Sequence, residues 1–378
     1  MQSKRKLKAA HIVEALQSEP VDIHSLRKLS ISPGGLLSRK LRCQVWPHLL
    51  DVTDTHLKCP KNVRMHPECR QVQLDVNRSG GRFPSTMPKE EVDILQEQLT
   101  DLILSVLCTH SELNYYQGYH DICVTFLLVC GKQLSFPLVE RLSTYHLRDF
   151  MVRSMDSTAD ILNYLIPILE KSNPELVKYI EKSEVGTLFA LSWLITWYSY
   201  VVPKQEDIER LYDFFLSCHP LMPVYFAAQI VLDNADNIMD GECEMARVYQ
   251  VLLQTARKTD LPLETLISKA ADFYIQFPPS SLSVTAIDYY KDGLAMSTFC
   301  DYALVAQHEL PDAVLRRRGL YSSDRTESSV NTRPSNADST HWSAAKTAAV
   351  AVGGAVGAAA IAGAVNLLEW APHLLGYL

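Results

Sequence analysis

The sequence predicts an all-α protein: a helical domain, a disordered linker and a C-terminal transmembrane helix. Three observations carry that reading. Apolar residues recur every three or four positions from residue 8 to about residue 310, and no stretch alternates with period two between hairpin turns. Prolines 167, 174, 203, 220, 223, 262, 278 and 279 interrupt these stripes at intervals suited to helix ends. The composition then changes abruptly after Arg316-Arg317-Arg318. The boundaries so drawn are 1–30 for an N-terminal helical lead, 31–310 for the main domain, 311–346 for the linker, 347–368 for the membrane anchor and 369–378 for a short tail.

The elements follow in order. Lys4, Arg5, Lys6 and Lys8 form a solvated lead into a first helix. The clearest stripe runs through 90–108, where Val92, Leu95, Leu99, Leu102, Ile103 and Val106 share one face behind Pro88. Similar stripes are expected over 122–129, 139–150, 161–169, 188–200, 208–216, 224–232, 246–253 and 261–275. The apolar stretch 211–232 is interrupted by Asp213, His219, Pro220, Pro223 and Gln229, so it reads as core helices rather than a membrane span. Residues 321–343 are rich in Ser, Thr, Asn and Asp and cannot bury enough apolar surface to order themselves. Residues 347–365 carry no charge over 19 positions, and as a helix would span about 28 Å, close to the roughly 30 Å hydrocarbon thickness. Leu367 and Leu368 extend that run, Trp370 and Tyr377 suit an interface, and Lys and Arg vanish after Lys346. The positive-inside rule then places the helical domain in the cytosol. Gly353 and Gly357 offer a close-approach face for self-association of such helices.

The bulk numbers exclude several functions. Hydrophobic residues make up 47% and charged residues 21% of the 378, with a formal net charge of −7, so no basic stripe for nucleic acid accumulates. The nine cysteines are scattered and form no Cys-x-x-Cys, which reads as reduced thiols. Cys59, His66 and Cys69 lack zinc-site spacing, so no metal of its own is expected. Basic residues at the start are not followed by an apolar run, which argues against a secretory signal. No phosphate-cradling glycine loop, nucleophile elbow or His-Glu-x-x-His helix is present, which removes the commonest routes to a self-sufficient enzyme.

What remains is polar chemistry in two apolar settings. In Val72-Gln73-Leu74-Asp75-Val76-Asn77-Arg78, Asp75 and Arg78 stand three apart and share a helical face; from spacing alone Arg78 is either a salt-bridge partner of Asp75 or a functional arginine. In Tyr115-Tyr116-Gln117-Gly118-Tyr119-His120-Asp121, Gln117 sits among aromatics before a glycine. An arginine and a glutamine are what GTP hydrolysis by an isolated small GTPase lacks. Guanidinium neutralises charge on the phosphate oxygens, and an amide orients the attacking water. The planar fork of Arg suits this better than Lys.

These two motifs resemble the signatures of the TBC domain, the all-helical module of Rab GTPase-activating proteins, which read Ile/Val-x-x-Asp-x-x-Arg and Tyr-x-Gln. Val72, Asp75 and Arg78 match the first; Tyr115, Gln117 and the following Gly118 match the second. Arg42-Cys43-Gln44-Val45-Trp46 resembles the family's early Arg-x-x-Val-Trp segment, and Arg210-Leu211-Tyr212-Asp213 its late Arg-x-Trp-Asp segment. The resemblance implies a GTPase activator rather than an enzyme complete in itself. Arg78 and Gln117 would be its catalytic fingers supplied in trans, Asp75 and Tyr115 would support and orient them, and it would need no cofactor beyond the GTP and Mg bound to the Rab. Arg82, Tyr119 and His120 are read as partner-binding. The tail anchor makes the chain similar to endoplasmic-reticulum-anchored members of the family. That implies Rab GTPases of the early secretory pathway as partners, with a role in ER-to-Golgi traffic and Golgi organisation. The rival of a different class is a membrane-anchored Rab-binding scaffold without catalysis.

One departure leaves a choice open. Many family members read Arg-Thr-Phe-Pro directly, whereas here Ser79-Gly80-Gly81-Arg82 precedes Phe83-Pro84. Counting from Asp75 selects Arg78 as the finger, and counting back from Phe83 selects Arg82.

Overall fold

The three-to-four-residue repeat is realised as helices throughout the computed structural model, which describes residues 2–52, 60 and 62–282; no β-strand occurs among them. In chain order they are α1 (Gln2–Gln17), α2 (Ile23–Ile31), α3 (Arg39–Leu49), α4 (Cys69–Arg78), α5 (Lys89–Thr109), α6 (Tyr119–Thr144), α7 (Asp156–Asn163), α8 (Leu165–Glu170), α9 (Pro174–Lys182), α10 (Leu191–Ile195), α11 (Gln205–Leu216), α12 (Met222–Asp233), α13 (Ala235–Met239), α14 (Met245–Thr255), α15 (Leu263–Gln276) and α16 (Pro279–Leu282). The linker, the anchor with its Gly353/Gly357 face, the tail and the last part of the main domain lie outside the described residues.

The elements that place the site are α4, α5 and α6. Glu90 and Glu91 in the first turn of α5 complement its dipole, and its buried stripe of Leu99, Leu102, Ile103 and Val106 packs along α6. The first half of α6 is buried almost all round, and Gly131, at φ 72°, breaks its helical path before Pro137. By length and composition α6 could cross a membrane, yet its residues form the centre of the fold. The stretch 211–232 resolves into α11 and α12, both buried in the core, as its interrupting polar residues implied. The N-terminal lead is not separate from the domain: α1 and α2 pack on α3, and Ile12, Ala15 and Leu26 join the common core.

Three expected stripes differ from the structure. Residues 161–169 are divided at Tyr164 between α7 and α8. Residues 139–150 do not continue as one helix, because α6 ends at Thr144 and only a 3-10 turn, Arg148–Phe150, follows. Residues 188–200 form a 3-10 turn, the short α10, and then a reversal with Trp197 and Tyr198 at φ 46° and 65°. Left-handed backbone is costly for aromatics, so packing must hold it. It does: the Trp197 ring meets Tyr212 at 5.4 Å and Phe215 at 5.5 Å, while Tyr198 meets Phe226 at 5.1 Å and donates to the Pro223 carbonyl at 2.7 Å.

The two flanking motifs meet at a buried carboxylate. Asp213 accepts from Arg42 Nε at 3.0 Å and Nη2 at 2.9 Å, from Trp46 Nε1 at 3.0 Å and from the Leu36 N–H at 2.9 Å. Arg42 also donates to Glu209, and Arg210 fans out to Glu264 and to the carbonyls of Ser30, Ile31 and Ser32. Gly35 passes so near that an added Cβ would lie 2.4 Å from the Asp213 carboxylate. This hub locks α2, α3 and α11 together.

His146 gives the core an acid-sensitive point. Burial, with a smaller push from the Arg27 charge, holds its imidazole down at about 3 from 6.5. A depressed folded value means its stability contribution is complete above the unfolded value and is lost as pH falls below 6.5. Over two pH units that is on the order of 2–3 kcal/mol. Urea midpoints at pH 6.5 and 4.5 are expected to show this loss, and His146→Leu, which cannot titrate, should remove it. An equal acid loss in the variant would assign it elsewhere.

Candidate functional site

The arginine motif occupies the last two turns of α4. Val72, Asp75 and Val76 form its buried face, while Leu74, Asn77 and Arg78 face outward. The expected shared face of Asp75 and Arg78 is therefore corrected. Three residues leave them about 60° apart around the helix, and the edge of the buried stripe falls between them. Asp75 is 1% exposed, accepting from Gln71 Nε2 at 3.1 Å and from Tyr115 Oη at 2.9 Å. No Asp75–Arg78 ion pair forms among the described residues, and Arg78 has no hydrogen-bond or ionic partner within them.

The end of α4 is capped rather than frayed. The Val76 carbonyl accepts from the Ser79 N–H, from Ser79 Oγ at 2.6 Å and from Gln96 Nε2 at 3.0 Å. Instead of leaving the helix at once, the chain makes one further 3-10 turn, Ser79–Arg82, before Phe83 enters the core.

Gln117 sits in the turn leading into α6, which Gly118 makes possible at φ 106°, a conformation that favours glycine. The aromatics around it are each pinned. Besides holding Asp75, Tyr115 Oη lies 3.2 Å from His120 Nδ1; Tyr116 Oη donates to the Ile195 carbonyl at 2.9 Å; Tyr119 Oη is 2.6 Å from Ser143 Oγ. Burial, reinforced by the Asp75 charge, pushes the Tyr115 phenol well above its ordinary range, so it stays protonated and donates. Gln117 itself is half-buried with no hydrogen-bonding partner among the described residues. The structure thus links the two motifs through Asp75 and Tyr115 and leaves the arginine and the glutamine uncommitted.

Three residues expected at a partner surface lie elsewhere. Tyr119 is 0% exposed and His120 is buried, so both belong to the core side of α6. Arg82 is also turned inward. Its Nη1 donates to the Ser199 carbonyl at 2.6 Å, its Nη2 to Thr125 Oγ1 at 3.1 Å, and its Nε is 3.6 Å from Asp121 Oδ1. Sequence reasoning also missed Gln71 and Gln96, whose amides brace α4; only the double glycine hinted that a nearby side chain must anchor this turn.

Among the described residues no group of three His, Cys, Asp or Glu side chains is placed to hold a metal ion. The site's chemistry is that of a donor surface, a guanidinium and an amide offered outward from a frame tied behind them.

Residues 39–239 match the family described as the Rab-GTPase-TBC domain. The chain belongs to the Rab-GTPase-TBC family. It is 49% identical over 376 residues to TBC1 domain family member 20 of Homo sapiens, spanning 98% of this chain and 92% of that one. It is 35% identical over 226 residues to the GTPase-activating protein gyp10 of Schizosaccharomyces pombe, spanning 58% and 59% of the two. Among solved structures it resembles the Ypt/Rab-GAP domain of Gyp1p, with a TM-score of 0.58 at 14% identity over 72% of this chain and 98% of that one. In this TBC fold, the matched segment holds the Asp75/Arg78 and Tyr115/Gln117 motifs and Asp213 with its partners Arg42 and Trp46.

Proposed function

We propose that this chain, a GTPase activator by family, accelerates GTP hydrolysis on a Rab by supplying Arg78 as an arginine finger and Gln117 in place of the Rab's own glutamine. The observation that carries this is the contrast within the site: Asp75, Tyr115 and Tyr116 are all bonded to the fold, whereas Arg78 and Gln117 have no intrachain partner among the described residues. Unpaired donors on a rigid frame are what a transition state with spread phosphate charge requires, since no internal bond must break before they engage it. Arg78 neutralises charge on the transferring phosphoryl group, and Gln117 orients the attacking water. The GTP and Mg belong to the Rab, and the chain brings no cofactor of its own.

The test is GTP hydrolysis by a panel of Rabs with the full chain in detergent. Acceleration of at least one Rab, abolished by Gln117→Ala, supports the reading; binding without acceleration of any Rab would make the chain a scaffold.

Partner choice and place in the cell follow the same reading. The similarity to TBC1 domain family member 20 and the uncharged run 347–365 support a tail anchor in the endoplasmic reticulum membrane, Rabs of the early secretory pathway and a role in ER-to-Golgi traffic and Golgi organisation. Gly353 and Gly357 would provide the self-association face. Deleting 344–378 is expected to move the protein from the membrane pellet to the cytosol with its activity on a soluble Rab retained. Continued pelleting would point to another anchor.

A further inference from the structure

We propose that Arg82 is a positioning residue for the Arg78 finger, clamping the far end of the finger turn onto the helix that follows Gln117. The proposal rests on the finger reading above and names a residue through which that site is held in register.

Arg78 lies between two ties. Three residues before it, Asp75 is bonded to Tyr115, two residues ahead of Gln117. Four residues after it, Arg82 reaches Thr125 and Asp121 on α6 and the Ser199 carbonyl. Both ties end on the segment that carries the glutamine, so the two fingers share one frame. Between Arg78 and Arg82 the chain has little of its own to hold it. Gly80 and Gly81 are exposed, and a Cβ on either would find no atom within 4 Å. A glycine pair has the widest conformational freedom of any dipeptide, so the turn takes its position from its ends. Ser79, bonded to Val76, fixes one end; Arg82 and the buried Phe83 fix the other.

The anchor at the far side is stiff. Ser199 directly follows the two left-handed aromatics Trp197 and Tyr198, whose rings are locked in the core, and its own Oγ donates to the Asp121 carbonyl at 3.2 Å. The Arg82 side chain is only 14% exposed, so reaching a nucleotide on a partner would break every one of these contacts. Two acceptors in different directions, with the Asp121 carboxylate as an ionic neighbour of Nε, also call for arginine: its planar fork satisfies several groups at fixed geometry, whereas a lysine ammonium on a flexible stem gives one mobile point of attachment. Placement matters at this site because a misplacement of about 1 Å costs a catalytic group roughly a hundredfold in rate.

The test uses the full chain in detergent with a GTP-loaded Rab that responds in the panel, comparing wild type, Arg82→Lys, Arg82→Ala, Thr125→Val and Arg78→Ala. Arg82→Ala is expected to lower kcat by roughly ten- to a hundredfold with KM changed less than about twofold. Arg82→Lys and Thr125→Val should lose less and remain folded by circular dichroism, which separates lost positioning from lost structure. Hydrogen exchange at amides 78–83 should be faster in Arg82→Lys than in wild type. A rise in KM at constant kcat would make Arg82 a Rab contact, and a loss equal to that of Arg78→Ala would make it a finger. An unchanged kcat in folded Arg82→Lys and Arg82→Ala would remove the clamp altogether. If wild type stimulates no Rab, the finger reading fails, and hydrogen exchange alone then decides whether Arg82 orders the turn.

Discussion

Arg78→Ala is expected to reduce stimulated GTP hydrolysis by on the order of a thousandfold or more, the usual worth of an arginine finger, while leaving the fold intact. The reason for both halves is the same. Arg78 is exposed and has no internal partner among the described residues, so its removal takes nothing from the folded state, and a surface change of this kind stays within about 0.5 kcal/mol. In the proposed mechanism its whole role is played against a partner's phosphate. Arg82→Ala should behave in the opposite sense, with a smaller kinetic loss and a measurable drop in stability, because its guanidinium is spent on Ser199, Thr125 and Asp121. Single-turnover hydrolysis and urea midpoints on the two variants give the comparison directly. A larger kinetic loss for Arg82→Ala than for Arg78→Ala would reverse the assignment.

The largest stability effect is expected at Asp213→Ala. The carboxylate is 0% exposed and answers Arg42, Trp46 and the Leu36 N–H at once. Removing it leaves a buried guanidinium with only Glu209 for company and two buried donors without acceptors. Breaking a buried ion pair from one side costs about 3–5 kcal/mol, and each orphaned donor adds roughly 1–3 kcal/mol. Against the roughly 5–15 kcal/mol that holds a domain together, such a loss leaves the variant at the edge of unfolding. It should precipitate or melt at assay temperature. Retention of the wild-type urea midpoint would show that the hub contributes specificity of packing rather than stability.

Much of the fold was legible because helices announce themselves by period. The stripe over 90–108 became α5 (Lys89–Thr109) and that over 224–232 became α12 (Met222–Asp233), with Pro88 and Pro223 at the starts. The misreading at 188–200 has a physical cause. A run of apolar and aromatic residues looks the same whether a helix or a packed reversal buries it, and here the rings of Trp197 and Tyr198 gain more from the core than their backbone loses. The same limit explains Tyr119 and His120: an aromatic or imidazole in a functional motif carries no sign of which way it faces, and the start of α6 is buried on nearly every side.

By itself, the sequence determined that the chain is helical, that an Arg/Gln pair stands in two matched motifs, and that Arg78 and Arg82 compete for one role. Spacing and helical phase counted from Asp75 favoured Arg78, and only the count back from Phe83 favoured Arg82; where each guanidinium goes was not legible, because that phase is lost across Gly80 and Gly81. Tertiary structure separated the two arginines through acceptors far away in the chain. Thr125 and Ser199, 43 and 117 positions beyond Arg82, converge on its guanidinium and draw it inside. No such group reaches Arg78 among the described residues, so it faces outward. A charged side chain goes where its charge is best met, and for these two that is decided by what the fold brings beside each of them.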